Sequence, residues 1–74
     1  MRDPHAALTN GATLIIRSPA QPGRDRVVLA EMPGTPQPFV TWVEDEDGGL
    51  FSGHYFETRP EATADFRARS ARAA

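Results

Sequence analysis

The chain has seventy-four residues, a formal net charge of −2 and no cysteine, which bounds it to one small domain without disulfides or a thiolate zinc site. A single core of that size yields only a small net stability, so self-association or docking on a partner is an expected way of completing the fold. All eight basic residues are arginine, and charge is segregated: residues 31–57 carry six acids and no base, while four arginines lie on either side. That balance excludes a general DNA-coating role but leaves room for a local arginine-bearing surface.

Residues 1–11 lack hydrophobic periodicity and read as a flexible N-terminal arm with a turn signal at "TNG"; a single α+β domain is expected over residues 12–74. The apolar run Leu14 to Ile16 is too short for a signal peptide or a membrane span, and the expected location is cytoplasmic. "ATLIIR" (residues 12–17) predicts a first strand, closed by the loop "SPAQPGRD". "RVVLAEM" (residues 26–32) predicts a second. "PGTPQP" (residues 33–38) then places three prolines in six residues, an extended connector expected to separate two hairpins. Its Pro33 and Pro36 fit a PxxP ligand pattern, although such spacing in a strand connector more often makes a stiff linker.

"FVTWVEDEDGGLFSGHYFE" (residues 39–57) reads as a hairpin, because two strand-like runs flank Asp47-Gly48-Gly49. A two-residue turn at Asp47-Gly48 pairs Trp42 with Gly53, so that a large indole fills the space over a bare glycine. In that register Val40, Trp42 and Glu44 share one face with Phe51 and Tyr55. Phe39, Thr41 and Val43 share the other with Leu50, Ser52, His54 and Phe56. A three-residue turn with a bulge would exchange these partnerships.

"ETRPEATADFRARSARAA" (residues 57–74) carries the helix. Thr58 and Glu61 form a capping-box pair, Pro60 falls in the first turn, and acids precede arginines along the segment, predicting a helix from Arg59 to about Arg72. Phe66 is its one large apolar side chain; with Ala62 it is expected to face the sheet. "LII" and "VVL" are apolar on both faces, whereas one helix covers one face. The expected architecture is a four-stranded, mainly antiparallel sheet with one C-terminal helix (β-β-β-β-α). Its second face is then covered by the arm and loops or by a second molecule.

No catalytic, cofactor or metal site emerges. Glu44, Asp45, Glu46 and Asp47 are consecutive, so on a strand they point alternately to opposite faces, and their spacing is not that of a calcium loop. A solvated hairpin tip, suited to a basic partner sooner than to a metal, is the plainer account. Ser52 and His54 share a face, but parallel side chains on a strand do not make a nucleophile and base without a mutual hydrogen bond and an orienting acid. His54 reads instead as a half-buried strand residue.

Two functions follow as expectations. The first is a non-enzymatic protein-binding or regulatory module that forms a homodimer or docks on a partner protein through an apolar sheet face, with Val40, Trp42, Phe51 and Tyr55 as contact candidates. The second is a dimeric nucleic-acid-binding regulator using Arg67, Arg69 and Arg72 of the helix. Neither implies a cofactor or a small-molecule substrate. Residues 40–66, with "EDEDGGL" between two strands and T-x-x-E-A opening a helix, resemble the hairpin and helix of HicB-type antitoxins. That resemblance implies a small domain that binds and blocks a toxin partner. The family places a third strand and a proline-glycine segment between hairpin and helix, where this chain enters the helix directly after Glu57. "GHYF" followed by "EATADF" is also similar to small proteins of high-GC bacteria, a likeness that implies no particular activity.

Overall fold

The computed structural model describes residue 8 and residues 10–73, without the side chains of residues 72 and 73. The chain forms strands β1 (Thr13–Arg17), β2 (Arg26–Glu31), β3 (Phe39–Glu44) and β4 (Leu50–Phe56), followed by helix α1 (Arg59–Ala73). The strands lie in the order β1-β2-β3-β4 and every neighbouring pair is antiparallel, giving an open sheet with one C-terminal helix. The α+β architecture is thus the one its patterning implies.

The proline-rich segment joins the two hairpins as a closed turn and not as an extended connector. Gly34 takes a positive φ of 89°, the Thr35 hydroxyl donates to the Met32 carbonyl, and the Met32 amide donates to the Pro38 carbonyl at 2.7 Å. Those bonds close a turn that sets β2 directly beside β3, so the sheet is a continuous meander. The prolines occupy the turn, where no ladder amide is required of them.

Both faces of the sheet are apolar, as the two-faced strands require. On one, Val27 and Leu29 pack with Ala62 and Phe66 of α1, and Ile15, Phe39 and Phe56 close around them. Burying Phe66 contributes about 1.5–3 kcal/mol, and the missing bulk at Ala62 lets the helix approach the strands closely. On the other face Val28, Ala30, Val40 and Trp42 pack with Leu8 and Ala12, flanked by Leu14, Met32 and Leu50. Leu8 belongs to the segment expected to be a loose arm, yet it is buried. A tight turn holds it there: the Leu8 amide donates to the Ala12 carbonyl and the Gly11 amide to the Leu8 carbonyl, both at 2.8 Å. The Asn10 side chain accepts from the Ala12 amide, and Gly11 has a φ of 88°. The rest of the arm, residues 1–7 and 9, lies outside the described residues.

Candidate functional site

Positions along β4 depend on a bulge that the sequence leaves open. From Phe39 to Thr41 the β3–β4 register is the expected one, with Thr41 opposite His54 and Val40 opposite Tyr55. Trp42 then faces both Ser52 and Gly53, and beyond it Val43 pairs with Phe51 and Glu44 with Leu50. Ser52 absorbs the extra residue with a φ of 55°, a left-handed conformation that costs a non-glycine residue energy. Phe51 consequently moves to the helix side of the sheet, with Val43 and Val27, and Leu50 moves to the Trp42 side. Phe51 and Tyr55 therefore occupy opposite faces.

The acidic tip is a structured turn. The Asp45 amide donates to the Gly49 carbonyl, and one Asp45 carboxylate oxygen accepts from the amides of Asp47 and Gly49. Gly48 adopts a φ of 85°. Gly49 is needed for a different reason, since a Cβ there would lie 2.6 Å from the Asp45 carboxylate. Glu44 is engaged elsewhere: it receives two hydrogen bonds from Arg17, Nε to Oε1 at 2.8 Å and Nη2 to Oε2 at 3.0 Å, linking β1 to β3 across β2. Two of the four acids are thus committed within the fold, and among the described residues no three histidine, cysteine or acidic side chains converge on a metal position. A shallow cleft of about 570 Å³ lies beside this turn, lined in part by Arg17, Arg26, Glu44 and Asp47.

A polar network joins α1 to the sheet. Arg69 Nη1 donates to the Thr41 carbonyl at 3.2 Å and to Thr41 Oγ1 at 3.0 Å. A guanidinium only donates, so the Thr41 hydroxyl is left to donate to Asp65 Oδ2, at 2.5 Å. The same carboxylate oxygen meets His54 Nδ1 at 3.0 Å, and because a carboxylate only accepts, Nδ1 is the donor. Burial acts most strongly on Asp65 and raises its pKa. The hydrogen bonds from Thr41 and His54, with the charges of His54 and Arg69, together outweigh it and hold the carboxyl below its ordinary value.

These contacts relocate several expected site residues. Arg69, expected on a phosphate-binding helix face, is only 8% exposed and directs Nη1 to Thr41. Arg67 remains exposed, and the Arg72 side chain lies outside the described residues. Val40 and Trp42 are buried in the chain's own core, so neither is presented for contact. Phe51 and Tyr55 are 45% and 47% exposed. Asp65 supplies His54 with an orienting acid that residue spacing does not reveal, while no hydrogen bond joins Ser52 to His54 among the described residues. A signal for the network existed: Ala62, Asp65, Phe66 and Arg69 follow helical i, i+3, i+4, i+7 spacing, placing both charges at the border of the buried stripe.

The remaining feature is the outer edge of β4. This strand is at the end of the sheet, seven residues long, without a formally charged side chain other than a histidine when protonated, and exposed from Phe51 to Tyr55. In an antiparallel ladder, bonded and non-bonded pairs alternate. The bonded pairs Met32–Pro38 and Asp45–Gly49 set the phase, so Phe51, His54 and Phe56 turn their backbone groups to β3 while Leu50 and Tyr55 turn theirs outward. No family model matches the chain, and no curated protein and no solved structure matches it either. Among the described residues no helix is long and apolar enough to cross a membrane.

Proposed function

We propose that the protein is a small, non-enzymatic protein-binding module of the cytoplasm that receives an extended segment of a partner along β4 by strand addition. The observation that supports this most directly is the β4 edge, which is unpaired and uncovered among the described residues. Proteins blunt such edges with lysine, proline, inward-pointing charge or a β-bulge, and of these β4 has only the bulge. Its bulge at Ser52 divides the edge and leaves Gly53 to Phe56 as the regular stretch. Backbone groups along that stretch supply the affinity of strand addition, and side chains on alternate faces supply selectivity. Phe51 on the helix side and Tyr55 on the other offer apolar contact to whichever chain adds there. This differs from docking on an apolar sheet face, because Leu8 and Ala12 already cover the centre of that face.

The test compares the native chain with a Phe51→Lys/Tyr55→Lys variant, each shown to be folded by circular dichroism. Partners are captured from the native cell, and self-association is followed by light scattering. Capture or self-association that protects the Tyr55 amide from hydrogen exchange, and that the double variant loses, supports strand addition. Binding that leaves the Tyr55 amide unprotected, or that survives both substitutions, sinks it.

A further inference from the structure

We propose that His54 and Asp65 form a pH-operated latch between edge strand β4 and helix α1. Theirs is the one side-chain hydrogen bond that joins these two elements among the described residues, and it lies at the outermost strand. The latch itself does not depend on strand addition being the function.

The groups around His54 leave the imidazole as the variable member. From α1 it faces Asp65, with Arg69 one turn further along and Glu61 one turn before; Glu61 is engaged by the Thr58 hydroxyl at 2.8 Å. From β3 it faces Thr41, between the apolar Phe39 and Val43. Within β4, Tyr55 is on the opposite side of the sheet. Thr41 donates to the Asp65 carboxylate, and Arg69 Nη1 lies 3.9 Å from the same oxygen as a fixed cation that opposes part of the gain when His54 is charged. A neutral His54 donates an ordinary N–H···O bond to it. Protonation at the free Nε2 converts that bond into a charge-assisted one without changing the donor atom or requiring movement. The His54 side chain is half exposed, so solvent can deliver the proton and screens part of the gain.

The consequence is a strand held more firmly when His54 carries a charge. For a half-exposed pair the strengthening amounts to about a two- to five-fold shift in local opening. Hydrogen exchange in the free protein reads it at the amides of His54 and Phe56, after correction for intrinsic rates, between about pH 8 and about pH 5.5. The expected result is a rise in protection of about two- to five-fold on acidification, absent in His54→Gln, which keeps a donor but cannot gain a charge. Protection that is flat with pH in the native chain, or that rises equally in His54→Gln, overturns the latch. Because no partner is present, either outcome is independent of whether β4 binds one.

Discussion

The indole of Trp42 occupies the space that a side chain at position 53 would need: a Cβ on Gly53 would lie 2.7 Å from Trp42 Nε1 and 3.0 Å from its Cδ1. Tyr55 stands edge-on to the same indole, with ring centroids 6.2 Å apart and planes at 89°. The bare glycine therefore lets Trp42 reach across onto β4 while remaining 5% exposed. Gly53→Ala is expected to displace the indole and destabilise the fold by about 1–3 kcal/mol, as overpacking of a filled site does. Urea unfolding followed by the fluorescence of this single tryptophan measures it, and an unchanged midpoint would show that the indole has room to yield.

Glu44→Gln tests the cross-sheet pair. The carboxylate is mostly buried and takes both bonds from Arg17, so neutralising it leaves a guanidinium with little access to water and one weakened partner. Breaking a buried pair typically costs about 3–5 kcal/mol; because Arg17 keeps partial exposure, the lower end is expected here. Replacing both residues together, Arg17→Met with Glu44→Leu, should recover much of that loss. Equal stability of Glu44→Gln and the native chain would mean that the pair is dispensable.

Much of this architecture was legible because independent local signals agreed. Ala62 and Phe66 fall on one helical stripe, Pro60 sits in the first turn, and Asp-Gly marks the β3–β4 turn. The failures have a common cause: side chains bonded across the sheet leave no local trace. Arg17 and Glu44 are far apart in sequence, as are Thr41 and Arg69, so their charges read as solvent-facing when taken segment by segment. The bulge was written only as a Ser-Gly pair inside a strand, a cue that does not say which residue takes the extra place. That single residue decided the face of Phe51. The capping pair was legible in its members but not in its bonding, for the Thr58 hydroxyl donates to the Glu61 carboxylate while the Thr58 carbonyl receives the Ala62 amide.

Ser70 continues the buried stripe of α1 one turn beyond Phe66, and its hydroxyl oxygen is buried without a hydrogen-bond partner among the described residues. Desolvating a hydroxyl for no bond is unfavourable, and alanine has the higher helix propensity. Ser70→Ala is therefore expected to raise stability by about 0.5–1 kcal/mol. A thermal or urea midpoint below that of the native chain would show that the hydroxyl has a partner in solution.

Asp65 contributes to the acid sensitivity of the fold through linkage. Its carboxyl is held below the ordinary value of 3.8: burial alone would raise it, but Thr41, His54 and Arg69 together prevail. A group that binds its proton less readily when folded contributes stability above its unfolded pKa and loses it as pH falls through the folded one. The contribution is therefore complete at neutral pH and disappears below about pH 4. Asp65→Asn, which keeps the shape but not the charge, should cost about 1–2 kcal/mol at neutral pH, since the bonds from Thr41 and His54 lose their charged acceptor. Below about pH 4 the native chain and the Asp65→Asn variant should converge, because protonation has already removed what the substitution removes. Urea midpoints of both chains across that range decide the matter: a constant gap down to the lowest pH at which they fold would show that Asp65 acts by shape and not by charge.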